Sequence, residues 1–231
     1  PNWTPNTTDR QHKRYRYENQ PNIGLWNLLQ LANALYPLIG EAAPLEAVLE
    51  TYKTTFEQRA LEMHKSKLGL EKNGTTDREL FDKLEETLQL TETDMTLFFR
   101  KLSSLSKTNN PKEAMLLIHE AFYKPKELTK SVVQKWEEWF SSYLQRLKKE
   151  TNTDTERKEN MNAVNPKYVL RNYMAQLAIE AAEKGDYSLI DELFVLLKNP
   201  YDEQSNAERW FAKRPEWARH KIGCSMLSCS S

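Results

Sequence analysis

The side chains in this sequence with the greatest capacity for covalent chemistry are two thiols, Cys224 and Cys229, in the closing stretch "RHKIGCSMLSCSS". An accessible thiolate can attack a disulfide or bind a metal ion. His220 could supply a third ligand, but the spacing of the three residues is not that of a zinc finger. The residues alone therefore predict no zinc site and leave Cys229 as an exposed thiol in a polar tail.

Other motifs that support catalysis do not occur. The four histidines are scattered, and neither H-E-x-x-H nor C-x-x-C is present. The six glycines form no G-x-G or Walker loop that could hold phosphates. The acidic residues fall on helix faces that we expect to be solvated, so no pair of catalytic carboxylates can be identified. Read from its residues alone, the chain is a helical domain without a visible active site.

Composition narrows the possible classes of protein. Lys and Arg number 33 and Asp and Glu also number 33, which gives a net charge of zero. This balance argues against a nucleic-acid binder or an anionic-membrane binder, because both rely on excess positive charge. No apolar run approaches the roughly 18 residues that span a membrane. Two cysteines cannot form the disulfide framework of a secreted domain, so a reducing compartment is expected.

Helical periodicity runs almost without a break from about residue 22 to residue 198, and no segment alternates as a strand. An apolar stripe from Leu45 to Met63 predicts a long helix that Gly69 ends. The stretch Thr76–Glu79 predicts a capping box, and Asn110 with Pro111 predicts another helix start. The sequence thus predicts an all-α fold.

The second half of the chain continues this pattern. An aromatic-rich helix is expected from Leu128 to Leu147. Residues 148–160 are charged and predict an exposed loop or a solvated helix. Asn165 is predicted to cap, and Pro166 to open, a helix that Gly185 closes. Four tryptophans are predicted to be core residues: Trp26, Trp136, Trp139 and Trp217.

Three separated stretches, in order, go beyond composition. They are "NQPNIGLWNLLQLANAL" at 19–35, "MNAVNPKYVLRNYMAQLAIEAAEKGDY" at 161–187, and a group comprising "NPYDEQ" at 199–204, "RPEWA" at 214–218 and the final "SCSS". Together they closely resemble the C-terminal part of the selenoprotein O family, in register from about Thr4 to Ser231.

The resemblance implies a protein-kinase-like fold with protein adenylyltransferase activity, in which AMP is transferred from ATP to Ser, Thr or Tyr hydroxyls with Mg²⁺ or Mn²⁺. It places the family's nucleotide-binding and metal-binding residues before this chain, so no catalytic, cofactor-binding or metal-binding residue is assigned here. Residues 1–21 would end the activation segment, residues 22–200 would form the helical C-lobe, and residues 201–231 would form an irregular tail. The expected partners are protein substrates and the N-terminal kinase-like part. Neither a nucleic acid nor a membrane is expected as a partner.

The resemblance also gives Cys229 a role. This position is selenocysteine in many animal members, and a thiol there is suited to redox exchange. In some bacterial members the cysteine pairs with another in the activation segment, where this chain carries Pro5 instead. Cys229 could then react with Cys224, with glutathione or with another protein. Animal members are mitochondrial and bacterial members cytoplasmic.

Two further interpretations follow. The segment Lys13–Tyr17, "KRYRY", is interpreted as activation-segment surface that touches a protein substrate. The alternative to an enzyme part is a non-catalytic helical domain for protein interaction. The chain begins with Pro1 in a polar, turn-rich stretch without a signal peptide, which suggests a fragment of a longer protein.

Overall fold

The computed structural model describes residue 11 and residues 13–224, and in this part of the chain the regular structure is helical. One isolated antiparallel bridge, between Thr93 and Phe122, is the only β pairing among these residues. The all-α prediction is therefore confirmed for the described residues. Their α-helices are α1 (Gln20–Ile39), α2 (Ala43–Lys67), α3 (Asp77–Leu88), α4 (Met95–Leu102), α5 (Pro111–Ile118), α6 (Lys130–Leu147), α7 (Asp154–Val164), α8 (Asn172–Ala182) and α9 (Ser188–Lys198).

These residues divide into two units. The first contains the described residues up to Glu62 and those from Pro215 onward, and so holds α1 and most of α2. Tyr52 of α2 packs closely on the start of α1, where its hydroxyl donates a hydrogen bond to the Pro21 carbonyl at 3.0 Å. A Cβ atom at Gly24 would lie 2.6 Å from the Tyr52 hydroxyl oxygen, so this contact needs a glycine.

The second unit, Met63–Arg214, is built around α6. Helices α3 and α5 pack against α6, α4 packs against α5, and α8 packs against α9. The core is aromatic. Trp136 meets Phe98 in a tilted arrangement and Phe122 edge-to-face, and Trp139 meets Phe140 edge-to-face. Two buried rings place a polar atom on a backbone carbonyl, as expected for buried Trp and Tyr, whereas the buried Trp136 Nε1 has no hydrogen-bond partner among the described residues. The Trp139 Nε1 donates to the Leu80 carbonyl, and the Tyr143 hydroxyl donates to the Leu68 carbonyl at 2.7 Å.

Several predicted helix ends are confirmed. Asn110 caps α5 and forms a reciprocal capping box with Glu113, with Pro111 as the first helical residue. Gly69 follows α2 with φ of +67°, a left-handed conformation that favours glycine. Gly185 has φ of +82° three residues after α8. These ends could be read from sequence because the residues that set them are local.

The predicted helix start at Asn165 and Pro166 is wrong. Helix α7 ends at Val164, Asn165 is its C-cap, and α8 begins only at Asn172. A proline disfavours helical geometry in the residue before it, and Asn165 is extended, with φ −108° and ψ 102°. The N–H groups of Lys167 and Tyr168 both donate to the Pro200 carbonyl, which holds this segment out of a helix.

The predicted capping box at Thr76–Glu79 does not form either. Thr76 occupies the N-cap position of α3, but its side chain makes no capping hydrogen bond. The carboxylate of Asp77 instead accepts the Gly74 N–H at 2.8 Å and binds Arg146. Hydrogen bonds of Asp77, rather than those of Thr76, therefore fix the start of α3.

Residues 148–160 are mostly exposed, as predicted, with two buried exceptions. Most of the second half of this stretch is the start of α7, which Thr153 caps in a capping box with Glu156. Glu150 and Arg157 are buried. Both charges have partners, since Glu150 binds Arg146 at 2.6 Å and Arg157 donates to the Leu105 carbonyl. Burial of a charge is tolerated where such hydrogen bonds are made.

Four tryptophans were predicted to be core residues, and for two of them this prediction is wrong. Trp136 and Trp139 are buried, but Trp26 is 44% exposed and Trp217 is 46% exposed. Both exposed tryptophans lie in the first unit, where neither α1 nor α2 contains a buried residue. The apolar stripe of α2 is helical as predicted, yet it forms no core among the described residues.

Candidate functional site

Arg100, near the end of α4, joins two of the stretches that carry the family resemblance. Its guanidinium is buried and donates to the carbonyls of Asn162 and Asn165, both at 3.0 Å, in the "MNAVNP" stretch. It also donates to the Tyr201 carbonyl at 2.9 Å and to the Glu203 carboxylate at 2.8 Å, in "NPYDEQ". One side chain therefore holds two segments that are about 40 residues apart in sequence.

Residues within these stretches add further hydrogen bonds to the same junction. The Lys167 ammonium donates to the carboxylates of Glu203 and Glu208. The Tyr168 hydroxyl donates to the Gln204 carbonyl at 3.1 Å, and the Gln204 amide donates to the carbonyls of Leu196 and Asn199. The second stretch and the start of the third are thus parts of one hydrogen-bonded network. We refer to Arg100, Lys167, Tyr168, Glu203 and Gln204 as the motif junction.

The charges of the motif junction support each other. Burial opposes the positive charge on Lys167, but its hydrogen bonds to Glu203 and Glu208 outweigh burial and raise its pKa. The same hydrogen bond from Lys167, followed by that from Arg100, lowers the pKa of Glu203. Both groups are therefore held in their charged forms at neutral pH. A cleft of ≈ 160 Å³ opens beside them, with Lys101 and Lys158 in its wall.

A second cluster lies where "RPEWA" begins. Asp94 is buried, caps α4, and binds Arg171 through both carboxylate oxygens, one of them at 2.9 Å. The Tyr123 hydroxyl donates to Asp94 at 3.2 Å and accepts the Arg214 N–H at 3.1 Å. Burial lowers the pKa of Arg171, but the hydrogen bond and the charge of Asp94 raise it by more. The net effect is a raised pKa. Arg171 is therefore a half-buried ion-pair partner of Asp94.

The larger cleft, of ≈ 250 Å³, lies between α3 and α6. Its floor contains Arg146, which is bound to Asp77 at 2.6 Å and to Glu150 at 2.6 Å. Both acids thus share one guanidinium as their ion-pair partner. The exposed wall alternates Glu79 with Lys83 and Lys149, a mixture of charges that selects no particular ligand.

A metal–nucleotide complex does not fit the described residues. Mg²⁺ and Mn²⁺ are bound by carboxylate oxygens together with substrate phosphates. Among residue 11 and residues 13–224, no group of three or more His, Cys, Asp and Glu side chains could hold a metal ion. The buried carboxylates, Asp77, Asp94 and Glu150, are each bound to an arginine. We therefore assign none of the described residues a role in binding ATP or a metal ion.

The basic–aromatic segment Lys13–Tyr17 lies in the first unit. The Arg14 guanidinium lies 4.0 Å from the centroid of the Trp26 ring, a cation–π contact. Tyr15 and Tyr17 are exposed. The contact between Arg14 and Trp26 connects this segment to the first of the three stretches.

The predicted redox residue, Cys229, lies outside the described residues, and so does Pro5. The structure therefore does not test whether Cys229 approaches Cys224 or any other thiol. Cys224 is described and is only 5% exposed. Burial of this kind is typical of an unreactive cysteine.

The sequence did not indicate the roles of Arg100, Asp94 and Arg157. Arg100 and Arg157 are buried and donate hydrogen bonds to backbone carbonyls, and Asp94 is buried and caps α4. One signal was available for Arg157, because it precedes Met161 by four residues on the same helix face and Met161 is buried. Arg100 sits beside buried Phe98 and Phe99 with no comparable signal, because its partners lie 62 to 103 residues away.

The described residues are helical, and hydrogen bonds of Arg100 join the second of the three stretches to the start of the third. Comparison with known proteins shows that the family model "Protein adenylyltransferase SelO" matches residues 1–198. The chain belongs to the SelO family. This match confirms the family resemblance that the three stretches indicated.

Curated relatives cover the whole chain. The protein nucleotidyltransferase YdiU of Flavobacterium johnsoniae is 58% identical over 231 residues, which is 100% of this chain and 44% of the relative. Proteins of the same name from Rhodopirellula baltica and Aromatoleum aromaticum are 50% and 48% identical, with 45% and 43% of their lengths covered. The chain thus spans less than half the length of these relatives.

Proposed function

We propose that this chain is part of a protein adenylyltransferase, which transfers AMP from ATP to Ser, Thr or Tyr hydroxyls of other proteins. The observation that carries the proposal is the match of residues 1–198 to the family described by that activity. The relatives named protein nucleotidyltransferase support it, since they align with this chain over its full length.

In the proposed enzyme this chain is the helical C-lobe of a kinase-like fold and supplies structure rather than reacting groups. In the transfer, a protein hydroxyl oxygen bonds to the α-phosphorus of ATP and its proton passes to a base. The bond from the α-phosphorus to the bridging oxygen breaks, and pyrophosphate leaves. Such chemistry depends on positioning and on neutralising phosphate charge, usually with Mg²⁺ or Mn²⁺. The rest of the enzyme would supply those groups.

Two features of this chain would act on the reaction indirectly. The segment Lys13–Tyr17, with exposed Tyr15 and Tyr17, would contact the protein substrate. Cys229 would adjust activity to redox conditions by disulfide exchange with Cys224, glutathione or another protein. Since Pro5 replaces a cysteine of some relatives, the pairing with the activation segment would be lost. A bacterial source would place the enzyme in the cytoplasm and an animal source in the mitochondrion.

The test is radiolabel transfer by the longer enzyme and by this chain. With ATP labelled at the α-phosphate and Mg²⁺, we expect the full-length Flavobacterium johnsoniae relative to label proteins and the 231-residue chain to label none. Label at the γ-phosphate should not transfer, because it leaves with pyrophosphate. Transfer from the γ-phosphate would instead indicate a kinase, and labelling by the 231-residue chain alone would contradict our assignment of roles.

A second candidate function is a non-catalytic helical domain for protein interaction. The exposure of α1, which contains no buried residue, favours it. Absence of label transfer by the full-length relative under these conditions would favour this alternative over the enzyme.

A further inference from the structure

Helix α9 has a second apolar face besides the one that it packs into the second unit. Leu193 and Leu196 are buried, whereas Phe194 is 62% exposed and Val195 is 61% exposed. At 3.6 residues per turn, the exposed residues of this side fall within an arc of roughly 140°. We refer to them as the outer face of α9: Tyr187, Ile190, Asp191, Phe194, Val195 and Lys198. An exposed apolar patch of this kind marks a contact site.

The charges on the outer face lie symmetrically about its apolar centre. Asp191 and Lys198 are two helical turns apart, about 10 Å along the axis, so they are too far apart to pair with each other. Neither forms an ion pair within the described part of the chain, and Lys198 lies 4.5 Å from the centroid of the Phe194 ring. The midpoint between the two charges falls between Phe194 and Val195.

This placement makes the outer face complementary to itself. When a second α9 lies antiparallel, with a twofold axis at that midpoint, Asp191 of each copy faces Lys198 of the other. The exposed Phe194 and Val195 then meet their counterparts at the centre. A parallel arrangement would instead bring like charges together. A twofold interface uses the same patch on both subunits, so it needs this kind of self-complementarity.

We propose that the outer face of α9 joins two copies of this chain in an antiparallel, twofold-symmetric dimer. The helix has 11 residues and is therefore roughly 16 Å long, so the interface belongs to the small class that is typical of weak, reversible association. The dimer concerns assembly and does not depend on the group that the enzyme transfers.

Other occupants fit the outer face less well. A helix that lies on a membrane carries several Lys and Arg residues to meet anionic head groups. Helix α9 has one basic residue, Lys198, and two acidic residues, Asp191 and Glu192. An unlike protein partner would not require opposite charges at equal distances from the apolar centre. A second copy accounts for that spacing.

Sedimentation velocity of the 231-residue chain between ~1 and ~200 µM tests the dimer. We expect the mean mass to rise with concentration from 27.1 kDa towards twice that value. Phe194→Glu should raise the dimer Kd by at least ~10-fold, because it places a charge at the centre of the interface. The control, Leu116→Glu, changes a 74% exposed leucine on α5 and should leave the Kd within ~2-fold. Circular dichroism should show the same helicity for both variants and the wild type.

Exchange of the two charges tests the antiparallel arrangement itself. Asp191→Lys and Lys198→Asp should each raise the Kd by at least ~5-fold at low salt, since each places like charges opposite one another. The double variant restores opposite charges in the reverse order and should return the Kd to within ~2-fold of the wild type. Effects that simply add, with no recovery in the double variant, would overturn the proposal.

Two further outcomes would also overturn the proposal. A chain that stays monomeric up to ~200 µM would show that a second copy does not cover the outer face. A dimer that Phe194→Glu leaves intact would place the contact on a different surface.

Discussion

Replacement of Arg100 by methionine should destabilise the protein mainly through the backbone carbonyls that it leaves without a donor. The Arg100 side chain is 6% exposed, and three of its four hydrogen bonds go to the carbonyls of Asn162, Asn165 and Tyr201. The fourth goes to Glu203, whose side chain is 68% exposed. Methionine keeps the aliphatic volume of arginine and removes only the donors.

The two kinds of bond should contribute unequally. A buried acceptor that loses its partner costs about 1–3 kcal/mol, and because water can reach two of these carbonyls we take about 1 kcal/mol each. An ion pair with an exposed carboxylate contributes under ~1 kcal/mol. We therefore expect Arg100→Met to lower the free energy of unfolding by about 3–4 kcal/mol, or Tm by ~6–15 °C at this chain length.

The assay is urea unfolding followed by tryptophan fluorescence, with Glu203→Gln as the control. Glu203→Gln removes the ion pairs with Arg100 and with Lys167 and leaves the carbonyl bonds of Arg100 in place. At under ~1 kcal/mol for each pair with this exposed carboxylate, it should cost under ~2 kcal/mol. Arg100→Lys should fall between the two variants, because an ammonium lacks the guanidinium fork that reaches several acceptors. If Glu203→Gln costs as much as Arg100→Met, the ion pair carries the energy and our reasoning about the carbonyls is refuted.

Three other predictions concern single residues. Gly69→Ala should lower the free energy of unfolding by at least ~2 kcal/mol more than Gly185→Ala, measured by chemical denaturation. Both glycines have positive φ, but only at Gly69 would a Cβ atom meet side chains of α7, at 2.6 and 2.9 Å. Equal losses in the two variants would show that backbone strain alone matters. Cys229, which is flanked by serines, should be alkylated before the buried Cys224. The variant Cys229→Ser should change the free energy of unfolding by under ~0.5 kcal/mol. Mass spectrometry that finds Cys224 modified first would contradict the predicted order of alkylation. Burial raises the pKa of Tyr143 to about 12, so its neutral form favours the folded state and this contribution is lost as pH rises from ~10 towards 12. Between pH ~10 and 12, the free energy of unfolding of the wild type should fall by up to ~1.4 kcal/mol per pH unit more than that of Tyr143→Phe. Equal losses in the two proteins would exclude Tyr143 as the cause of the alkaline destabilisation.

Local features of this protein could be predicted from the sequence. The start of α5 depends on Asn110, Pro111 and Glu113, which lie within four residues of one another, and the end of α2 depends on Gly69. A capping hydrogen bond or a left-handed residue acts over one helical turn, so its signal is contained in a short segment. The family resemblance was also readable, because its stretches are contiguous.

Where long-range contacts compete with local preferences, only the tertiary structure decided the outcome. Pro166 looked like a helix start, but the distant Pro200 carbonyl binds the N–H groups that follow it and keeps the segment extended. Thr76 looked like a cap, but Arg146, 70 residues away, draws Asp77 into a different arrangement. These partners are brought together by the fold, so no short window of sequence contains them.

The sequence by itself determined that this chain is all-helical, where most of its helices lie, and which family it belongs to, because periodicity, caps and contiguous motifs are local properties. It did not determine which side chains are buried. Arg100 and Arg157 look like surface residues and are buried, whereas Trp26 looks like a core residue and is exposed. Burial depends on what packs against a residue, and that is a property of the assembled helices rather than of any one segment.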